Sequence, residues 1–433
     1  MSENRTRNLF CIIGAGAAGL GAAKAFKQAG LNFDVFEDAG DVGGIWDASR
    51  DDSPVNRNTH VIASKATQQY PDFPMPDSYP DYPDHRLVLR YLRSYADQFG
   101  LREHINFNSK VSKIEPGDGR GWRVSLESGA TKDYAGVVIA TGHDRLPRMP
   151  EIKGDHGIEV LHSSRFKDVG QILNKRVLIV GAGQSAADLL CEAATNAETT
   201  YHSTRRGFFC MPKHMLGRPT DTWLQGKAPK FMRRFAFKSL FRILLLKSRS
   251  FGLPIPGIKK SLVIPILGDQ LHHHYTHGDI VHKGDIERLE GNRVYFDDGS
   301  EAEVDVIFFA TGFSPSYEFI DPRHLNWAPD AAKPALFLHI FPPETENLFV
   351  VGMVRPIGSH WDAYEHQGHL VASYIKAREN APARAERFDK LRKSRRQPDL
   401  QAGIRFYNAG EYPLVVEKQE YVKQVRRQIK ALG

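Results

Sequence analysis

Two glycine-rich turns hold most of the chemistry that this sequence can perform. The first, Gly14-Ala15-Gly16-Ala17-Ala18-Gly19, follows the apolar run Leu9-Phe10-Cys11-Ile12-Ile13 and opens a helical pattern. In such a turn Gly14 allows the tight bend, Gly16 lets backbone approach a pyrophosphate, and Gly19 lets helix and strand pack closely. The helix start at Ala17 and Ala18 offers free N–H groups to phosphates. Glu37 lies 23 residues after Gly14, at the end of the next strand-like run, and can accept hydrogen bonds from a ribose diol.

The second turn, Gly181-Ala182-Gly183-Gln184-Ser185-Ala186, follows the run Lys175-Arg176-Val177-Leu178-Ile179-Val180. Alanine replaces the third glycine, which the motif permits. Here the position 23 residues on is Thr204, and Arg205 and Arg206 come next. A carboxylate at that position would repel a 2′-phosphate, whereas an arginine fork holds one bidentately. The first turn therefore suits FAD or NAD and the second suits NADPH. Gly181, Gly183, Gln184, Ser185, Ala186, Asp188, Ser203, Arg205 and Arg206 are the expected contacts of the second cofactor. The plain alternative is that the two arginines are solvated loop charges. Two dinucleotides in one chain suggest hydride transfer from NADPH to a flavin.

Placing two cofactors face to face requires an α/β fold with two Rossmann-like dinucleotide-binding domains. The 433 residues allow roughly three units at ~150 residues each. A hydrophobic content of 41% and a charged content of 25% are those of a globular chain, not a disordered or fibrous one. Cys11, Cys191 and Cys210 stand far apart without a CxxC pair, which argues against a disulfide framework or thiolate zinc site and fits a reducing, cytoplasmic setting. No run reaches the ~18 apolar residues of a membrane span. The net charge of +7 is local: between Lys227 and Gly268 there are ten Lys and Arg and no acid, and removing those ten from 58 leaves 48 against 51 acidic residues. Arg234, Lys238 and Arg242 recur every four residues opposite Phe231, Phe235 and Leu244, so residues 227–260 read as a basic amphipathic helix. It suits either an anionic membrane surface, in weak contact, or a lid on its own NADP domain. His272, His273, His274 and His277 do not complete a metal geometry, and no metal is expected. No nucleic-acid motif is present.

Further along, Gly43-Gly44-Ile45-Trp46, Tyr70-Pro71-Asp72-Phe73-Pro74-Met75-Pro76, Val138-Ile139-Ala140-Thr141-Gly142-His143 and Phe309-Ala310-Thr311-Gly312-Phe313 follow one another in an order that resembles the flavin-containing monooxygenases, the class B flavoprotein monooxygenases. The likeness covers nearly the whole chain. It implies FAD contacts at Gly44, Ile45, Trp46, Val61, Ile62, Val111, Thr141, Gly142 and Gln367, and NADP contacts at Thr311 and Gly312. The family fingerprint FxGxxxHxxx(Y/F)K survives as His162, Phe166 and Lys167, with His156 and Ile158 in place of Phe and Gly, and reads as a domain linker. Aligning Lys65 with the lysine of the family's TNxxK stretch puts Ile62 where an asparagine lies near the flavin's reactive edge. Isoleucine cannot donate a hydrogen bond. Asn56, Asn58 or His60 could be shifted into that gap. Gly358, Ser359, His360, Trp361 and Gln367, at the start of a helix-like stretch, are candidates for the substrate side, with His60, His360 and Trp361 the nearest to catalytic residues.

The resemblance also implies an FAD domain over 1–168 plus 310–433 and an NADP domain over 169–309, with a basic helical insertion around 222–268. It implies that NADPH reduces FAD, O2 adds at flavin C4a, and the (hydro)peroxyflavin transfers one oxygen to a soft nitrogen or sulfur nucleophile of a small molecule. Baeyer–Villiger oxidation of a ketone is the alternative, less favoured because the fingerprint lacks its WP or WD ending; a reductase or oxidase without oxygen transfer is another. A homodimer is compatible with this reading.

Overall fold

The computed structural model describes residues 8–119, 121–155, 157–205, 207–224, 265–394, 398–403 and 413–433. Arg206, His156 and the whole of the basic 227–260 segment fall outside these residues.

The chain runs β1 (Leu9–Ile13), α1 (Ala17–Gln28), β2 (Asn32–Phe36), α2 (His85–Gln98), β3 (Ile105–Asn106) and β4 (Gly136–Ile139). It continues through β5 (Glu159–His162), β6 (Arg176–Val180), α3 (Gln184–Asn196), β7 (Thr199–Ser203), β8 (Ile280–Lys283) and β9 (Val306–Phe309). It ends with β10 (Leu348–Val350), α4 (Trp361–Asn380), α5 (Pro382–Lys393) and α6 (Lys418–Leu432). Two five-stranded sheets result, ordered β10-β4-β1-β2-β3 and β5-β9-β6-β7-β8. Every pairing within them is parallel. Helices crossing over parallel strands cover both faces, so the central strands need to be apolar throughout. β4 and β9 are buried along their whole length, and β1 and β6 at every position but the first.

The order is the same in both sheets, with β1 matching β6, β2 matching β7 and β4 matching β9. Each unit also carries a three-stranded antiparallel sheet before its β4 or β9: Val111–Pro116, Trp122–Leu126 and Thr131–Tyr134 in the first, Ile286–Glu290, Arg293–Phe296 and Glu301–Glu303 in the second. Val111 is one of the buried residues of this first sheet.

One expected boundary moves. Residues 159–162 precede the expected 168/169 division, yet β5 pairs with β9 from Val306↔Glu159 to Phe309↔His162 and so belongs to the second sheet. The chain passes between units along Leu146–Pro147 and back along Phe313–Ser314, and these two short strands pair antiparallel. Apolar sequence alone cannot say which of two sheets a four-residue strand joins. Helix α4, the helix-like stretch expected after His360, runs to Asn380 and packs against α1, Gly368 meeting Ala22 so closely that a Cβ would lie 2.8 Å from its Cα.

Candidate active site

Both glycine turns sit at the carboxyl ends of the central strands, where an open parallel sheet leaves its crevice. In the first, Gly14 has φ +103° and any Cβ there would stand 2.8 Å from the Ala140 carbonyl oxygen. In the second, Gly181 has φ +131° and a Cβ would stand 2.5 Å from the Ala310 carbonyl oxygen. The bends are thus pressed against the crossovers after β4 and β9, which turn through Gly142 and Gly312, each at φ +80°. Helices α1 and α3 begin at Gly16 and Gly183 with no side-chain cap and no acid in the first turn. Their first N–H groups therefore remain available to an anion. Gly16 also touches the backbone of Gly44, 3.5 Å from a Cβ to its Cα, so residues 43–46 flank the same groove.

The ends of β2 and β7 differ as their sequences require. Glu37 is buried and accepts from Ala15 N at 2.6 Å, Ala39 N at 3.0 Å and Arg50 at 3.0 Å. Burial, then the adjacent Asp38, pushes its carboxyl up to about 7. Burial also opposes the charge of Asp38, but hydrogen bonds from Arg50 and Arg145 hold it well below the usual carboxylate range. At the end of β7 no acid is present: the Ser203 hydroxyl donates to the Gly284 carbonyl at 2.6 Å and the Thr204 hydroxyl lies 2.9 Å from His282 Nε2. The Arg205 side chain is 67% exposed, 3.9 Å from Asp285, and faces outward. Thr141 and Thr311, at equivalent crossovers, diverge too. Thr311 donates to the Arg148 carbonyl at 2.5 Å, whereas the buried Thr141 hydroxyl has no partner among the described residues. An uncapped helix, a glycine-lined groove, a buried acid and an unpartnered hydroxyl fit a flavin dinucleotide with a free ribose. The second groove, with Gly183 open on its Cβ side and an arginine at the strand end, fits a 2′-phosphorylated one.

Around the first groove, Val61 is buried while Ile62 is 41% and Ile45 42% exposed. Trp46 is half-buried and packs against the main core. His60 is exposed, its Nδ1 2.7 Å from the Asn58 carbonyl. In the second groove Ser185 is exposed and Ala186 buried. Gln184 donates to Asp188 at 2.9 Å and to the Leu267 carbonyl at 3.0 Å, so it braces a neighbouring strand.

Several expected positions have other duties. Trp361 is 2% exposed and stacks on Tyr91 and Tyr70 at 5.4 and 5.7 Å, so it is part of the core rather than of an open surface. Gln367 is fully buried, accepting from Gly352 N at 2.8 Å and donating to Tyr421 at 2.6 Å, so both ends of its amide are engaged within the protein. Ser359 is buried and accepts from Lys418. The helical spacing that put these residues at one end of α4 could not say which side faced the interior. His162 lies 3.1 Å from the Gly312 carbonyl, and Lys167 donates to the Ser53 carbonyl at 2.6 Å, as befits a linker. His272 is buried, His273 stacks on His277 at 4.0 Å and His274 meets Asp279 at 2.8 Å; among the described residues no three His, Cys, Asp or Glu side chains converge.

The sequence motifs understated one cluster. His143 Nδ1 lies 2.9 Å from the Gly352 carbonyl, Arg355 Nε donates to His143 Nε2 at 2.9 Å, and Arg355 also pairs with Asp144. These contacts put the imidazole proton on Nδ1, and burial holds the ring neutral by lowering its pKa. The half-buried His360 lies in the same neighbourhood, and burial pushes its imidazole down to about 3, so it too is neutral. Gly352 itself has φ +94° and a Cβ there would lie 2.7 Å from that of Ala18, so the cluster borders the first groove. Arg355 was hidden because its partners are 211 and 212 residues away in sequence.

The fold and geometry agree with what comparison finds. The model of the family described as FMO-like, flavin-binding monooxygenase-like, matches residues 7–423. The flavin-containing monooxygenase 5 of Rattus norvegicus is 27% identical over 412 residues, 89% of this chain and 76% of that protein. Among solved structures, cyclohexanone monooxygenase from Rhodococcus sp. Phi1 bound to NADP+ superposes with a TM-score of 0.70 at 17% identity, covering 98% of this chain and 97% of that one. The S-allyl-L-cysteine S-oxygenase from Allium sativum gives a TM-score of 0.67 at 19% identity, covering 98% and 88%. The chain belongs to the flavin-binding monooxygenase-like family and is an FAD-dependent, NADPH-using monooxygenase.

Proposed function

We propose that this enzyme oxygenates a soft nitrogen or sulfur atom of a small molecule, with FAD in the first groove and NADPH in the second. Gly14, Gly16, Ala17, Ala18 and Gly19 would hold the FAD pyrophosphate, Glu37 its ribose, and residues 44–46, Val61, Ile62, Val111, Thr141 and Gly142 the rest of its length. Gly181, Gly183 and residues 184–186 would hold the NADPH pyrophosphate, with Asp188, Ser203, Thr311 and Gly312 beside it and Arg205 and Arg206 at the 2′-phosphate. The observation that carries this division is the acid at the end of β2 against the exposed arginine at the end of β7.

Bound FAD, once reduced by NADPH, activates O2 and supplies one oxygen atom to the substrate, the other leaving as water. The chain's part is to orient, exclude water and fix protons. The neutral His143, locked by Gly352 and Arg355, keeps its proton on Nδ1 beside the groove. Ile62 contributes an apolar wall with no donor. That substrate class is supported by the S-allyl-L-cysteine S-oxygenase of Allium sativum, named for sulfur oxygenation, and by relatives named N-oxide-forming dimethylaniline monooxygenase 2.

The test is turnover of the purified flavoprotein with NADPH or NADH, offered a tertiary amine, a thioether or a cyclic ketone under labelled O2. The expected result is labelled N-oxide or sulfoxide with a preference for NADPH. Lactone as the main product would replace this reading with ketone oxygenation, and labelled peroxide alone under every condition would make the protein an oxidase.

A further inference from the structure

The stretch from residue 58 to 82 belongs to the first unit yet, among the described residues, meets the second at four hydrogen-bonded points. Asn58 donates to Glu192 at 2.6 Å, Tyr82 donates to the Lys213 carbonyl at 2.5 Å, and His214 lies 2.9 Å from Asp81. Asn58, Asp81 and His214 are exposed, so those pairs are screened and individually weak. The fourth contact is different in kind. Asp221, on the short helix Thr220–Leu224, is 7% exposed. Its Oδ2 accepts from Ser64 N at 2.8 Å, Ser64 Oγ at 3.0 Å and Thr67 Oγ1 at 2.5 Å. Its Oδ1 is buried with no partner among the described residues. A buried carboxylate taking three donors from one turn is a strong and directional tie.

That turn is closed by Thr67 N and Gln68 N, which donate to the Ser64 carbonyl at 2.9 and 2.8 Å. Two residues before it stands Ile62. Two contacts fix where the loop lies. On one side Asn58 reaches Glu192 on α3. On the far side Gln68 accepts from His360 N at 3.3 Å, at the start of α4. The loop therefore runs from α3 to the start of α4, and Asp221 is the one of its four named contacts with the second unit that is a buried carboxylate.

We infer that Asp221 is a positioning residue by which the NADP-binding unit sets the Ile62 loop against the flavin groove; this rests on the assignment of the two grooves above. Thr220 N donates to the Lys213 carbonyl at 2.8 Å, the preceding strand Cys210–Met211 pairs with Ile266–Leu267, and Leu267 is held by Gln184 at the start of α3, so nucleotide bound at α3 would be felt at Ile62 through this chain of contacts and one carboxylate.

The experiment compares the FAD-loaded wild type with Asp221→Asn and with Thr67→Val, which removes a donor and leaves Asp221 in place. Hydrogen exchange of the amides of residues 61–68 is read with and without NADP+, beside the KM for NADPH and the peroxide formed per NADPH. In the wild type NADP+ should slow exchange at residues 61–68 about tenfold. Both variants should lose most of that slowing, at unchanged flavin content and thermal midpoint, and form several times more peroxide with a smaller change in kcat. Retention of the full NADP+-dependent slowing by both variants would overturn the inference, as would loss of slowing with an unchanged peroxide yield. If the wild type neither protects residues 61–68 nor shows any NADP+ binding, it is the assignment of the second groove that fails.

Discussion

The two parallel units share one strand order and differ at the ends of β2 and β7 and in the turns beside them. Strand order, bend and crossover coincide closely enough that Gly14 and Gly181 press on the same carbonyl of their respective crossovers, at Ala140 and Ala310. Yet Glu37 faces Thr204 across that equivalence, the unpartnered Thr141 faces a bonded Thr311, and Gly19 faces Ala186. The bend is shared, whereas the differences are polar at the strand ends and crossovers and steric at the third motif position. Each difference gives a way to break or sharpen the comparison.

The largest effect is expected at the third glycine. A Cβ on Gly19 would stand 1.8 Å from the Gly14 carbonyl oxygen, so Gly19→Ala forces backbone apart and should cost about 3 kcal/mol or lose the flavin outright. The reciprocal Ala186→Gly, in a helix that already accommodates a Cβ, should cost only about 0.5–1 kcal/mol. Denaturant midpoints and flavin absorbance check the pair. Equal losses at the two sites would mean that the turns are packed alike after all.

Next comes acid sensitivity. His202 occupies in β7 the place of Val35 in β2, opposite Ile179 as Val35 is opposite Ile12. It is fully buried, its Nε2 2.7 Å from the Gly181 carbonyl, and burial holds its pKa down to about 3. A base whose folded pKa is depressed contributes stability above its unfolded pKa of ~6.5 and loses it as pH falls toward 3. The second unit should therefore weaken by up to about 1.4 kcal/mol per pH unit over that window. His202→Val should flatten the profile, measured as unfolding midpoint against pH. An unchanged slope would assign the acid sensitivity elsewhere.

Arg205→Ala should raise the KM for NADPH roughly ten- to a hundredfold, or about 1.5–3 kcal/mol for a charge-assisted bond, and leave NADH use nearly unchanged. A fixed NADPH/NADH ratio in both Arg205→Ala and Arg206→Ala would end the 2′-phosphate assignment.

The smallest effect is at Ile62. Supplying a donor through Ile62→Asn should lower peroxide released per NADPH about two- to twelvefold, the value of one hydrogen bond of ~0.5–1.5 kcal/mol. A rise in peroxide instead would show that the apolar wall protects by excluding water.

The local features were the readable ones. The strand that must end before Thr204 is β7, at Thr199–Ser203, and β9 ends on Phe309, the first residue of the second crossover motif. Glycine spacing is a local signal because the bend, the uncapped helix and the next strand's end are all within about thirty residues. What could not be read depends on pairing across the chain. Residues 159–162 look like any short strand, and only their match with residues 306–309 assigns them to the second sheet. Trp361 and Gln367 carry the side chains of a binding surface, but Tyr91, Tyr421 and Gly352 draw them inward. Asp221 gave no signal at all, because a carboxylate among Thr220, Thr222 and Trp223 looks like a surface residue until Ser64 and Thr67 close over it.

The paired strands Leu146–Pro147 and Phe313–Ser314 have a consequence for ancestry and engineering. Because outgoing and returning chain lie side by side, everything between them is bracketed by two neighbouring peptide segments, and removing it leaves ends that a few residues can rejoin. Insertions are tolerated best where chain ends already meet. One copy of a nucleotide-binding gene segment set inside another would leave this seam. The same seam marks where a foreign nucleotide-binding module could be grafted, giving the flavin a different electron donor without a new crossing of the chain.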